Sequence, residues 1–96
     1  MAYVIQFSHR ARDHSKALRK RDQQIVLDAI AVQLVHRPDQ PTRNRKPLED
    51  NPLAPWELRV GDFRVFYDVN EAEVVVLAVG HKTHNTLRMG GEEIEL

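Results

Sequence analysis

Two arginines on either side of a predicted turn, Arg59 and Arg64, are the residues of this sequence best spaced to do chemistry. The Gly-Asp pair at 61–62 is typical of a type II′ hairpin turn, which places the two arginines directly opposite each other. Like charges facing across an antiparallel pair are unfavourable, so we expect an anion between them, and phosphate matches paired guanidinium groups best. The alternative is that each arginine reaches into solvent or pairs with Glu57 or Asp68 on the same face.

Histidines and further cations lie close to the ends of neighbouring predicted strands. His81 and Lys82 close the predicted central strand, and His84 follows two residues later. Metal-free cleavage of RNA needs a base for the ribose 2′-hydroxyl, cations around the phosphorus and an acid for the leaving oxygen. A neutral histidine suits either proton role. The set is completed by three cations of the preceding loop, Arg43, Arg45 and Lys46.

No metal or cofactor site is predicted. His81 and His84 have no acidic or cysteine ligand beside them, and the chain contains no cysteine. Each histidine also has a structural alternative. His81 would hydrogen-bond a backbone carbonyl at the strand end, and the histidines on or beside the polar helices would lie in solvent. Those helical histidines are His9, His14 and His36.

The length and composition indicate one small domain, residues 1–96. Residues 1–46 carry ten Lys and Arg against four Asp and Glu, whereas residues 47–96 carry four against ten. The net charge of zero therefore conceals a basic half, and basic surfaces attract nucleic acid or acidic protein segments. We expect a soluble, cytoplasmic protein without a membrane partner, because the sequence shows no disulfide, no signal peptide and no apolar run near the ~20 residues that span a bilayer.

The first half of the sequence predicts one strand and two helices. Alternating apolar residues over 3–8 are typical of a strand, and Ser8 is placed to cap a polar helix over 9–20. A second helix is predicted over 23–36, with Asp22 as its N-cap. Two antiparallel helices follow from this arrangement. The apolar stripe of the second helix consists of Val26, Ile30 and Leu34.

The second half predicts a sheet. Residues 37–55, which hold all five prolines, are expected to be irregular, and the hairpin 56–69 follows. The apolar run 73–82 is typical of a central strand buried on both faces, and a last hairpin is predicted over 87–96. The order predicts a two-layer α+β fold, with the N-terminal strand and helix pair packed on a mainly antiparallel twisted sheet. The apolar hairpin face would meet the helices, and the arginines would lie with His81, Lys82 and the loop cations on the open face.

The segment KPLEDNPLAPWELRVGDFRVFYDVNEAEVVVLAVGHK (46–82) resembles the RelE/ParE superfamily of toxins from bacterial type II toxin–antitoxin modules. Members typically show Lys-Pro-Leu, an aromatic residue before Leu-Arg-Val-Gly-Asp, an aromatic-Arg-Val-x-Tyr and a strand that closes in Val-Gly followed by basic residues. The predicted N-terminal strand and helix pair also fit this family, so the resemblance covers about residues 3–82. It implies the same α+β fold and an antitoxin protein that neutralises the toxin by forming a complex.

The resemblance also implies roles for particular residues. Arg59 and Arg64 match the arginines of the two strand motifs, and Lys82 and His81 match the positions that close the last strand. Two loop residues, Arg45 and Lys46, lie where RelE-type toxins keep basic residues. RelE-type toxins often place a tyrosine shortly after that strand, whereas this chain continues THNTLRMGGEEIEL, in which His84 could replace it as acid or base.

Three functions are consistent with these patterns. The first is a ribosome-dependent, metal-independent endoribonuclease that cuts mRNA, inhibits translation and so arrests growth. The second is a ParE-like toxin that binds DNA gyrase without nuclease activity, which the missing tyrosine and the acidic C-terminal half favour. The third is a degenerate module whose main property is antitoxin binding.

Overall fold

In the computed structural model, which describes residues 2–83, 86–90 and 92–95, two helices pack on one face of a single sheet. The strands lie in the order β2-β3-β4-β5-β6-β7, and β1 pairs in parallel with the first part of β5. The predicted α+β fold with a mainly antiparallel sheet is confirmed. The elements are β1 (Val4–Phe7), α1 (His9–Lys16), α2 (Lys20–Gln33), β2 (Arg45–Pro47), β3 (Trp56–Val60), β4 (Phe63–Asn70), β5 (Glu73–Thr83), β6 (Thr86–Met89) and β7 (Glu92–Glu95).

The β3–β4 hairpin has the predicted register. Arg59 lies opposite Arg64, and Val60 lies opposite Phe63 across the 61–62 turn. Gly61 has a φ of 57°, and of the two turn residues it is the one with positive φ, as a type II′ turn requires. A short turn with one demanding backbone position is therefore enough to set which side chains face each other.

Strand β5 is the centre of the sheet, as its apolar sequence predicts. It pairs with β4 along most of its length and with β1 and β6 on its other edge. A β-bulge interrupts the β4–β5 ladder, because Phe66 pairs with Ala78 while Tyr67 pairs with Val76, which leaves Leu77 as an extra residue. The bulge reverses the alternation of side chains along the second half of β5.

The helices cover one face of the sheet and form the main core with it. The stripe of α2 meets the apolar face of the β3–β4 hairpin, as predicted, and Tyr67 lies beneath them with its hydroxyl donating to the Pro38 carbonyl at 2.7 Å. A buried aromatic residue with a satisfied hydroxyl is a strong anchor. The buried apolar residues of this core are Ala11, Val26, Ile30, Leu34, Leu58, Val65, Tyr67, Val74, Val76 and Val79.

The helix boundaries differ from the sequence-based prediction. Ser8 caps α1 as expected, with its hydroxyl oxygen accepting the Ala11 N–H at 3.1 Å. Helix α2 begins at Lys20, however, and Asp22 lies inside its first turn rather than at the N-cap. The good helix formers at 20 and 21 extend the helix backwards, and a carboxylate in the first turn still complements the helix dipole.

Residues 37–55 are not wholly irregular as predicted. Strand β2 forms within this segment and pairs with β3, so that Lys46 lies opposite Glu57. Its outer edge is already occupied, because the Thr42 N–H donates to the Arg45 carbonyl at 2.9 Å and Pro47 has no N–H to offer. The strand is three residues long, and partner-strand pairing rather than its own sequence pattern creates it.

The sheet face opposite the helices is only partly open. Apolar residues of the loop after β2 pack over its middle and form a second, smaller core with the strands. Gly80 makes room for this core, because a Cβ there would lie 2.7 Å from Leu87 Cδ1. The buried members of the second core are Ala54, Phe66, Ala78, Leu87 and Met89. We call the exposed remainder of this surface, toward the β3–β4 turn, the open face.

Candidate nucleic-acid interface

A small cavity on the open face brings four cations together. Its volume is about 210 Å³, and among the described residues its charged lining consists of Lys46, Arg59, Arg64, Lys82 and one carboxylate, that of Glu57. The four cations come from four different strands, so the sheet itself holds their backbone positions. Cations whose backbones are fixed on rigid strands are suited to binding a polyanion, because their backbones need not be ordered when they do.

Arg64 is held in place before any ligand binds. It is 8% exposed, and one terminal nitrogen of its guanidinium donates to the carbonyls of Gly61 at 2.8 Å and Phe63 at 2.9 Å. Its Nε lies 3.9 Å from Glu57 Oε1. Glu57, which the sequence offered as an alternative partner for the arginines, is therefore a neighbour of Arg64 within the cavity.

Arg59 differs from Arg64 although the two lie opposite each other. Its side chain is exposed and makes no hydrogen bond or ion pair with the residues that the structure describes. The predicted cross-strand pair thus consists of one preorganised guanidinium and one that is free to meet a ligand. This division suits an anion site, since one cation shapes the cavity while the other reaches toward the ligand.

The expectation that His81 lies beside the arginines is wrong. His81 pairs with Phe63 on the helix side of the sheet, where the two rings contact each other at a tilt of 43° with centroids 5.0 Å apart. Neighbouring residues of a strand point to opposite faces, and the bulge at Leu77 assigns Lys82 to the open face and His81 to the other. His81 instead lines a separate cavity of about 650 Å³ near the turn between the helices. His84 lies outside the described residues.

The three loop cations, Arg43, Arg45 and Lys46, do not lie together. Lys46 lines the cavity, but Arg45 lies opposite Leu58 and so faces the helices. The Arg45 guanidinium donates to the carbonyl of Gln33 at the end of α2 and, through Nε, to that of Gln40 at 3.2 Å. Arg45 therefore joins the loop to the helix. Arg43 is exposed and makes no side-chain hydrogen bond or ion pair within the described ranges.

His14 has a structural role that sequence reasoning missed. It was expected in solvent, but it is 7% exposed and its Nδ1 accepts the Val79 N–H at 3.1 Å. On the same edge of β5, the Ser8 hydroxyl donates to the Leu77 carbonyl at 3.2 Å. These two side chains of the α1 region satisfy the backbone of β5 in the gap between β1 and β6. This role of His14 can be recognised only from the strand pairing, and no pattern in the sequence indicates it.

Acidification is expected to destabilise the fold through His14. Burial, with a smaller effect of the nearby Arg10, holds the pKa of His14 below its ordinary value of 6.5. The folded state thus favours the neutral ring, so the stability that depends on it is complete above about pH 6.5 and is lost as the pH falls below that value. Urea unfolding measured from about pH 7 to pH 5.5 should show this loss in the wild type and a smaller one in His14→Asn.

The control for this measurement is His36→Asn, which removes an exposed histidine and should keep the pH dependence of the wild type. An equal loss of stability in His14→Asn and in the wild type would contradict the role of His14.

The part of the chain that the structure describes offers neither a metal-binding group nor a membrane-spanning helix. It contains no group of three or more potential metal-ligating side chains. It also contains no helix that is both long and apolar enough to cross a membrane.

Two solved structures of toxin–antitoxin complexes contain chains that share this fold. The toxin–antitoxin complex RelBE2 from Mycobacterium tuberculosis contains a chain with 26% identity and a TM-score of 0.73, and the match covers 85% of this chain and 100% of that one. The archaeal RelE–RelB complex from Pyrococcus horikoshii OT3 contains a chain with 20% identity and a TM-score of 0.68, with coverage of 88% and 99%. The fold is therefore that of the RelE/ParE superfamily.

The family itself is shown by sequence. A family model described as the ParE toxin of the type II toxin–antitoxin system parDE matches residues 5–86. No curated protein sequence matches the chain. The chain belongs to this family of type II toxins, and the resemblance seen in residues 46–82 is confirmed.

Proposed function

We propose that this toxin binds RNA on its open face and cleaves mRNA on the ribosome, and that it thereby inhibits translation and arrests growth. The observation that carries the proposal is the convergence of Lys46, Arg59, Arg64 and Lys82 on one cavity. Four cations against one carboxylate form a local positive field on a protein whose net charge is zero. Contacts between such cations and phosphates dominate binding to nucleic acids.

The size of the cavity suggests what enters it. Ligand pockets for whole small molecules measure roughly 300–1,000 Å³, and this cavity measures about 210 Å³. A phosphate group with the edge of its ribose fits this space better than a complete nucleotide with its base. The proposal therefore assigns the cavity to the RNA backbone, and the bases remain outside it.

Each residue then has a role in cleavage. Arg59 and Arg64 stabilise the negative charge that develops on the phosphate when the 2′-hydroxyl loses its proton and attacks the phosphorus, while the bond to the 5′-oxygen breaks and that leaving oxygen takes up a proton. Lys46 and Lys82 hold the adjacent backbone. His84 is proposed to move protons, because it follows β5 closely in sequence whereas His81 faces the helices.

We also propose that a cognate antitoxin forms a hetero-oligomer with this chain. The M. tuberculosis neighbour is a chain of a toxin–antitoxin complex and shares 26% identity with this one. A domain of 96 residues buries a smaller fraction of its surface on folding than a larger domain does, so such a partner would also stabilise it.

A second candidate function is a toxin that binds DNA gyrase without catalysis. Two observations favour it: His81 lies on the opposite face of the sheet from the arginines, and the matching family model is that of ParE toxins. The resemblance stated above implies gyrase inhibition for ParE-type members. In this case the basic cavity would contact an acidic surface or DNA held by the enzyme.

Two assays with the purified toxin separate these functions. In the first, ribosomes translating a defined mRNA are incubated with toxin, and new transcript 5′ ends are mapped by primer extension. In the second, the same toxin is added to a gyrase supercoiling reaction. We expect new 5′ ends that require ribosomes, and unchanged supercoiling. Inhibited supercoiling without cleavage would overturn the nuclease proposal, and failure of both assays, together with normal growth on induction, would indicate a module that only binds its antitoxin.

A further inference from the structure

Glu57 occupies the interior of the basic cavity. Its Oε2 lies 3.5 Å from Lys46 Nζ, and its Oε1 lies 3.9 Å from Arg64 Nε. The Glu57 side chain is 15% exposed, so solvent screens these contacts less than those of a surface ion pair. A carboxylate held between two cations in a cavity lies where an oxygen of a bound phosphate would make the same contacts.

The two cations differ in how easily they can leave Glu57. Arg64 is anchored by the carbonyls of the hairpin turn, and its side chain is 10% exposed. The Lys46 side chain is 61% exposed and has rotatable donors on a flexible stem. An incoming phosphate could therefore meet Arg59 and Lys82 directly, and it would gain Lys46 only by drawing that ammonium group away from Glu57.

We propose that Glu57 is a built-in counter-anion that competes with RNA phosphate for Lys46 and Arg64 and thereby limits the affinity of the open face for RNA. This inference deepens the proposed function and rests on it. The carboxylate reduces the charge of the cavity from four positive groups to a net of three. A weaker field lowers binding to single phosphates and bulk RNA, so that productive binding depends on several phosphates presented together.

The test compares RNA affinity in variants with the same change of charge. Glu57→Gln keeps the shape of the side chain and removes its charge, and the matched control is Glu73→Gln. Glu73 is an exposed strand residue at the far end of β5, nine positions from Lys82, which is roughly 30 Å along a strand. Binding of a short single-stranded RNA is measured by fluorescence anisotropy over a range of salt concentrations.

We expect Glu57→Gln to bind this RNA about threefold to tenfold more tightly than the wild type at about 0.1 M salt. Its dependence on salt should also be steeper, by up to ~0.7 in the slope of log K against log salt for one added phosphate contact. Glu73→Gln should match the wild type in both respects. Thermal unfolding of each variant verifies that it is folded, and Glu57→Thr, which suits a strand, provides a second neutral variant.

The outcomes separate this inference from the proposed function. Equal affinities of Glu57→Gln and the wild type, or a gain shared with Glu73→Gln, would overturn the counter-anion role. Weaker binding by Glu57→Gln would show that Glu57 positions Arg64 instead of competing for it, which also overturns the inference. If Arg59→Ala and Lys82→Ala leave RNA affinity unchanged, RNA does not use this face and the proposed function fails independently of Glu57.

Discussion

Replacing Arg59 with alanine is expected to remove the growth arrest that the toxin causes and to lower ribosome-dependent mRNA cleavage by about 10²–10³-fold. Arg59 lines the basic cavity, and its exposed side chain is not engaged by the residues that the structure describes. Its loss should therefore remove stabilisation of the phosphate transition state and leave the fold intact. The free energy of unfolding should change by no more than about 0.5 kcal/mol.

Arg21→Ala is the matched control for this experiment. Arg21 is an exposed arginine on α2, so its removal makes the same change of net charge away from the open face. The Arg21 variant should remain toxic. Arg59→Lys, which keeps the charge but loses the planar set of donors, should be intermediate. Full toxicity of a folded Arg59→Ala variant would contradict the assignment of this cavity.

Arg64→Ala is a less specific test of the cavity than Arg59→Ala, because it would also affect the structure of the hairpin. Because Arg64 is buried and donates to two carbonyls of the turn, its replacement by alanine would leave those carbonyls without their donor. A loss of activity in Arg64→Ala would therefore combine lost phosphate contacts with a loosened hairpin. The contrast between two residues that face each other shows why burial must be known before a variant is chosen.

Tyr67→Ala is expected to lower the free energy of unfolding by about 3–5 kcal/mol. Tyr67 is fully buried, and its ring stacks on that of Trp56 with centroids 6.1 Å apart. Small domains are stable by roughly 5–15 kcal/mol, so this variant should retain little folded protein under mild denaturing conditions. Urea unfolding followed by the fluorescence of Trp56, the one tryptophan of the chain, measures the change.

Tyr67→Phe separates the ring from its hydroxyl. It keeps the packing but leaves the Pro38 carbonyl without the donor that lies 2.7 Å away, which should cost about 1–2 kcal/mol. Pro38 is itself fully buried and begins the proline-rich segment that leads to β2 and Lys46. Equal losses in Tyr67→Phe and Tyr67→Ala would contradict the view that packing of the ring is the larger contribution.

The parts of the fold that the sequence predicts correctly depend on local rules. The register of the β3–β4 hairpin follows from a two-residue turn and a period of two, and the buried stripe of α2 follows from a helical period. The Ser8 cap follows from the preference of a hydroxyl for the first free N–H groups of a helix. Each of these signals lies within a few residues of the structure it specifies.

The parts that the sequence misplaces depend on contacts between distant segments. Strand β2 exists because β3 is available as its partner, and Arg45 faces the helices because that pairing sets its register. His14 is buried because it satisfies an N–H of β5, 65 residues away in sequence. Periodicity carries no information about such partners.

By itself, the sequence determined the α+β order, the facing arginines of the hairpin and the family of type II toxins, since turn chemistry, hydrophobic period and motif are all local properties. Only the tertiary structure decided which cations meet. One extra residue, Leu77, reverses the alternation of β5, which turns Lys82 toward the arginines and His81 away from them. A bulge arises from the pairing of two strands and from neither strand alone. The residues that line the cavity are therefore determined only when the sheet forms.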